Sequence, residues 1–289
     1  LEETAAPIPV DLQPVHKNYI KRQIHPLVLC SPFIYRTFQK PLGYAGDYEM
    51  VSMMLRDPYE GASMFAKLLN KLFLDTAPVV AHRNRIAYLT ERLVEETRRV
   101  ARRGRIARIY NLGCGPAQEI QHFLTHHDIC ERAQFTLLDF NDETLAHTGR
   151  LLEEIKMRQH RVMPVQMIKK SVHQILKESS RPGGEAAGGY DLVYCAGLFD
   201  YLSDRICKRL MNIFYDLLAP GGLLVATNVD LSNPSRVWME YVLEWHLVYR
   251  DRKILASLAP DEARPDLCQV KSDPTGVNIY IEVRKPEDA

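Results

Sequence analysis

"IYNLGCGPAQEI", residues 109–120, sets an apolar run against two glycines and then a helical pattern. Glycines at 113 and 115 let the backbone turn sharply and approach a ligand closely, and the N-terminus of the following helix favours an anionic group. Such a pair also occurs in plain strand-to-helix turns. It gains weight from "LLDFN" (137–141), where Asp139 ends the next apolar run and is placed to accept hydrogen bonds from a ribose diol. The alternative for Asp139 is a cap for the next helix, which Asp142 already offers.

Outward from this turn, short apolar runs alternate with helical patterns, the mark of βαβ units and a parallel sheet. "ARIYNLG" (107–113), "QFTLLDF" (134–140), "PVQMIKKS" (164–171), "YDLVYCAG" (190–197) and "GLLVATNV" (222–229) read as five strands. Residues 142–158 and 203–219 read as helices with polar caps, "RPGGEAAGG" (181–189) as a surface loop and "APGG" (219–222) as a tight turn into a strand. Residues 236–258 read as one long aromatic helix, and "LCQVKSD" and "VNIYIEVRK" as a closing hairpin. Residues 1–103 carry helical patterns and are expected to cap the α/β domain, with "RRG" (102–104) as the joint.

Lys plus Arg (37) nearly equals Asp plus Glu (36) in the 289 residues, so no overall basic field argues for nucleic acid or a membrane surface. A small-molecule partner is expected. The six cysteines show no paired CxxC spacing, which suggests reduced thiols in the cytoplasm, and no metal site is expected. No run approaches the roughly 18 uninterrupted apolar residues of a membrane span. The sequence begins at Leu1 and not at Met, so what precedes it is open.

Taken in order, the GxG turn, the acid ending the second strand, "KSV" after the third, "YDLVYCAGLFDYL" at the fourth, "LLAPGGLLVATN" before the fifth and the terminal hairpin resemble the class I S-adenosylmethionine-dependent methyltransferases over residues 107–285. The resemblance implies an α/β, Rossmann-like, mostly parallel seven-stranded sheet ending in an antiparallel hairpin. Residues 104–289 would form this domain, 1–103 its helical cap, and S-adenosylmethionine would be the cofactor. Gly113, Cys114 and Gly115 would back the methionine part, Asp139 would hold the ribose, and Phe140 and Asn141 would flank it. Ser171 and Val172 would lie at the adenine edge, and Cys195, Ala196 and Gly197 beneath the sulfonium, although Cys195 also reads as a plain buried strand residue. Two positions depart from the usual ExGxGxG pattern. Asn111 replaces the acid, keeping an amide oxygen to accept from the methionine ammonium, and Ala117 replaces the third glycine.

"PLGYAGDYEMV" (41–51) combines glycine hinges with Tyr44, Tyr48 and Asp47, and reads as a lid over cofactor and substrate or as an Asp47-capped helix start. With "NLGCGPAQEI", "NPSRVWMEYVLEWHLVYR" and "TGVNIYIEVRKP" it is similar to the bacterial extracellular-factor, 3-hydroxypalmitic acid methyl ester biosynthesis proteins. That resemblance implies methyl esterification of a 3-hydroxy fatty acid to make a diffusible quorum signal.

A carboxylate acceptor arrives ionised and needs a cation to orient it, for which Arg36, His246 and Arg250 are the candidates. A hydroxyl or amine acceptor needs a base, for which Asp200, Glu240 and His246 are the candidates; Asp200 and Tyr201 stand nearest the expected methyl position. Trp238, Tyr241 and Trp245, spaced i, i+3, i+7, form either helix core or a substrate wall. Two other classes stay open: a nicotinamide oxidoreductase, disfavoured because position 118 is not glycine, and a cofactor-binding regulatory module without turnover.

Overall fold

A computed structural model describes residues 1–179 and 188–288, so the "RPGGEAAGG" loop lies, but for Gly188 and Gly189, outside the described residues. The chain divides into two compact units. One comprises Leu1–Asn84, Ser232–Leu247 and Pro274–Val277, the other Arg85–Leu231, Val248–Asp273 and Asn278–Ala289. The division falls inside a helix, between Asn84 and Arg85, rather than at the 102–104 joint read from the sequence. The helix continues past the division because Leu89, Leu93, Val94 and Val100 are buried in the core of the second unit.

Helices α1 (Glu2–Ala5), α2 (Gln13–Val28), α3 (Pro32–Gln39), α4 (Tyr48–Met53) and α5 (Met64–Leu74) build the first unit, and α6 (Ala77–Ala101) follows. Local chemistry starts several of them. Ser31 caps α3 with Pro32 in its first turn, Asp47 caps α4, and Ser63 caps α5. Phe33, Ile34, Met50, Met53, Leu74 and Val79 pack with Val242 and Leu243 as the core.

The second unit continues with β1 (Ala107–Leu112), α7 (Gln118–His126), β2 (Ala133–Asp139), α8 (Asp142–Gln159), β3 (Val165–Lys169), α9 (Val172–Glu178), β4 (Tyr190–Cys195), α10 (Asp204–Leu217) and β5 (Leu218–Val229). After α11 (Arg236–Val242), which belongs to the first unit, come α12 (Arg252–Ser257), β6 (Cys268–Ser272) and β7 (Asn278–Arg284). The seven strands run β3-β2-β1-β4-β5-β7-β6. The first five are parallel, and β7 runs antiparallel between β5 and β6. The order reverses between β1 and β4, and open sheets of this kind take ligands at such a switch point, beyond the carboxyl ends of the strands. "APGG" is a bulge inside β5: Tyr190 pairs with Leu218 but Leu192 with Leu223.

Two cores cover the sheet. One gathers Leu89 and Leu93 of α6 and Ile120, Phe123 and Leu124 of α7 against Ile109, Leu137, Leu192 and Tyr194. The other gathers Leu210, Met211 and Phe214 of α10 and Leu255 of α12 against Val193, Leu224, Ile279 and Ile281. Arg284 of β7 grips Glu96 of α6 through two bonds of 2.7 Å. No helix among the described residues is long and apolar enough to cross a membrane.

The long helix expected over 236–258 does not form. Helix α11 ends at Val242, Glu244 is left-handed at φ 51°, and α12 restarts behind the Asp251 cap. Within the first unit, Lys21 pairs with the Glu244 carboxylate and Lys40 donates to its carbonyl at 2.7 Å. Within the second, Val248 N donates to Asp200 O at 2.7 Å and Arg250 N to Val229 O at 3.2 Å, holding this stretch extended. Trp245 therefore lies outside the helix that carries Trp238 and Tyr241. Trp238 stacks on Phe73 at 5.1 Å, so its ring is part of the first unit's packing.

Candidate cofactor site and active site

The turn after β1 needs three left-handed residues: Gly113 at φ 71°, Gly115 at φ 50° and Ala117 at φ 50°, ψ 48°. The backbone at 117 thus keeps a glycine's conformation while carrying a methyl group, at the strain cost of an L-residue in that region. Gly113 N and Cys114 N both donate to Leu138 O, at 2.8 and 3.0 Å, tying the turn to the end of β2. A Cβ at Gly115 would meet nothing within 4 Å, so the backbone there borders open space.

Asp139 clamps this turn from β2. Its Oδ2 accepts from Gly115 N at 3.2 Å and its Oδ1 from Asn141 N at 3.0 Å. Burial raises its carboxyl above the ordinary aspartate range, while the backbone N–H groups of Asn141, Gly115 and Phe140 pull it back. Helix α8 is capped by Asn141, which accepts from Thr144 N at 3.0 Å; Asp142, the cap expected from the sequence, is the first helical residue instead. Phe140 is 52% exposed beside it.

Beneath the turn lies a buried polar group. Asn111 of β1, Glu119 of α7 and Tyr194 of β4 are 2%, 7% and 1% exposed. Glu119 Oε1 accepts from Tyr194 Oη at 2.7 Å and from Asn111 Nδ2 at 3.3 Å, whereas Asn111 Oδ1 is buried with no partner. Burial raises the Glu119 carboxyl, against the opposing pull of Tyr194, the backbone and Arg85. Cys114 and Cys195 are buried thiols, which burial pushes well above their usual range.

At the end of β4, Gly197 has φ 83° and donates to Thr227 Oγ1 at 3.1 Å. A Cβ on Gly197 would stand 3.1 Å from both Nη atoms of Arg85, so the guanidinium covers this backbone. Asp200 follows in a short 3-10 turn, its Oδ1 accepting from Val229 N at 2.7 Å. Burial raises its carboxyl, with Val229, Arg85 and Arg250 acting the other way. Tyr201 beside it is exposed, and Ala196 is half-buried.

The Arg250 guanidinium is committed to partners within the second unit. Its side chain is 1% exposed, donating to Asp204 Oδ1 (2.9 Å), Phe199 O (2.8 Å), Asn228 Oδ1 (2.6 Å) and Leu202 O (2.6 Å). It ties the loop after β4 to the end of β5. Arg36 is likewise committed, gripping both oxygens of Asp47 at 2.9 and 2.8 Å. Asp47 also caps α4 through Met50 N at 2.7 Å, which leaves its carboxylate little to offer a ligand. Tyr44 shares the first unit with Glu240, which pairs with Arg236, and with His246, which is exposed. Ser171, assigned by resemblance to adenine, spends its hydroxyl in a capping box with Gln174, and Val172 begins α9.

The structure thus gathers Asn111, Gly113, Cys114, Gly115, Asp139 and Asn141 around one turn, and Cys195, Ala196 and Asp200 around the next strand end. Sequence reading missed Arg85 and Glu119. Arg85 stands in a charged stretch read only as cap helix, and Glu119, inside the opening motif, looked like an ordinary first-turn acid.

Residues 110–224 match the family model described as a methyltransferase domain. Among curated proteins none matches the chain in sequence. A protein described as a possible exported protein from Bordetella parapertussis superposes with a TM-score of 0.63 at 20% identity, covering 88% of this chain and 86% of that one. The magnesium protoporphyrin IX methyltransferase of Synechocystis PCC 6803, crystallised with S-adenosylhomocysteine, superposes with a TM-score of 0.51 at 10% identity, covering 87% and 98%. At such identities the likeness is one of fold. The seven-stranded sheet is that of the class I methyltransferases, and the matched segment, which holds the glycine turn, Asp139 and all of β4, makes the chain an enzyme of the methyltransferase class.

Proposed function

We propose that the chain esterifies the carboxylate of a small acceptor, a 3-hydroxy fatty acid, with the methyl group of S-adenosylmethionine. The residues present fit this cofactor. Gly115 borders open space, Asp139 ends β2 beside it, and Asn111 Oδ1 is a buried acceptor waiting for a donor. S-adenosylmethionine is the methyl donor, supplying a methyl group on a sulfonium; the protein aligns the acceptor in line with it and excludes water.

The observation that carries the carboxylate reading is the guanidinium of Arg85 over Gly197, at the end of β4. A guanidinium matches a carboxylate bidentately, and an ionised carboxylate needs no base. Asp200, the nearest candidate base, is buried with one oxygen held by Val229. All six cysteines are unpaired thiols, which supports a cytoplasmic enzyme, and the methyl ester it releases would be an uncharged, diffusible signal.

The test is turnover of labelled cofactor with 3-hydroxypalmitate, its primary amide and the corresponding diol. Ester from the acid alone is expected, with Asp200→Asn retaining turnover and Arg85→Gln raising the acceptor KM about tenfold or more. Methylation of the diol, abolished in Asp200→Asn, would replace this reading with a hydroxyl acceptor and Asp200 as base.

A further inference from the structure

The end of β1 has an amide where the methyltransferase pattern carries an acid, and the structure shows a carboxylate arriving there from another element. We propose that Glu119 supplies from α7 the negative charge that Asn111 lacks, and that the two together hold the ammonium group of the cofactor's methionine moiety. This rests on the cofactor reading above and is independent of the acceptor.

Two observations support it. Asn111 turns its Nδ2 to Glu119 at 3.3 Å, and because an ionised carboxylate can only accept, this contact fixes the amide's orientation. Oδ1 is thereby directed away from Glu119 and stays buried without a partner, a standing cost that a ligand donor would remove. An ammonium brings three donors and a positive charge, reaching Oδ1 directly or through one ordered water.

The two hydrogen bonds by themselves do not need the charge. Tyr194 Oη and Asn111 Nδ2 both donate to Glu119 Oε1, and the amide oxygen of a glutamine would accept the same two bonds with no buried charge. The chain instead holds a carboxylate that is 7% exposed, whose ionisation burial opposes and Tyr194, the backbone and Arg85 favour. A bound ammonium would add to the positive charge that Arg85 already brings. The rest of the fold positions it: Ala117 in the left-handed region aims α7, and Thr90 Oγ1 donates to Glu119 O at 3.2 Å.

Calorimetry with two probes separates the possibilities. S-adenosylhomocysteine carries the ammonium; 5′-methylthioadenosine has the nucleoside and sulfur without it. Glu119→Gln is expected to weaken S-adenosylhomocysteine about tenfold or more and to leave methylthioadenosine within about twofold. Equal losses for both probes would make Glu119 a structural residue and overturn the proposal, as would unchanged S-adenosylhomocysteine affinity. Asn111→Leu gives the same comparison should Glu119→Gln not fold. The wild-type protein offers a further arm: deaminated S-adenosylhomocysteine should bind at least about tenfold more weakly than the parent compound, and equal affinity would refute the role. Failure of the wild type to bind either nucleoside would instead remove the cofactor reading itself.

Discussion

Two stretches of the second unit, one after β1 and one that returns to the end of β5, are built on opposite principles. The turn from β1 to α7 takes five residues, and its path follows from which of them tolerate the left-handed region. The stretch from Val248 to Asp251, beyond β5, holds its path through partners far away in sequence: Asp200, Asn228, Val229 and Asp204. The first conformation is written into adjacent residues, whereas the second exists only when the sheet has assembled. Mutations should therefore act locally in one and globally in the other.

The largest expected effect is at Arg250. Arg250→Met removes the donor shared by Phe199, Leu202, Asn228 and Asp204, taking this partner from the buried Phe199 carbonyl and Asn228 amide. A loss of about 3–5 kcal/mol is expected, read as a fall in the denaturation midpoint. Lysine, a point charge lacking the planar fork, should not restore it. Full stability in either variant would erase the contrast between the two stretches.

Next comes Asp139→Ala. It removes a carboxylate expected to bind the ribose and already accepting from Gly115 N and Asn141 N. Charge-assisted bonds of this kind contribute roughly 1.5–3 kcal/mol each, so affinity for S-adenosylhomocysteine should fall about tenfold or more. Unchanged affinity by calorimetry in the folded variant would restrict Asp139 to bracing the turn.

Ala117 sharpens the local side of the comparison. Glycine there relieves about 1–2 kcal/mol of left-handed strain but forgoes about 0.8 kcal/mol of methyl burial and loosens the unfolded chain. Ala117→Gly should therefore change stability by less than about 1 kcal/mol. A β-branched residue has no such tolerance, and Ala117→Val should cost about 2 kcal/mol or more, with the loss confined to this turn.

The smallest effect is at Ser171. Ser171→Ala breaks the capping box of α9 and should lower stability by about 1 kcal/mol while leaving S-adenosylhomocysteine affinity unchanged. A clear drop in affinity would return Ser171 to the adenine edge.

The buried group under the glycine turn shows where sequence reading stops. Asn111, Gly113, Gly115 and Asp139 could be picked out because each follows from position: at the end of a strand or next to it, or glycine in a strand-to-helix turn. Glu119 could not, because nothing in "PAQEI" says that the acid faces inward to Tyr194, 75 positions away. Arg85 was hidden for the same reason, in a helix whose pattern of charge reads as solvated surface.

By itself the sequence determined the alternation of strand and helix, the closing hairpin, the glycine turn and the acid that ends β2. These rest on hydrophobic period and backbone preference, which act between near neighbours. Only the tertiary structure decided that residues 236–258 break into two helices, that Arg250 is a buried tie, and that Arg85 and Glu119 reach the strand ends. Each of those outcomes is set by hydrogen bonds and burial between residues distant in the chain, and a buried charge acquires its role from the partners that surround it.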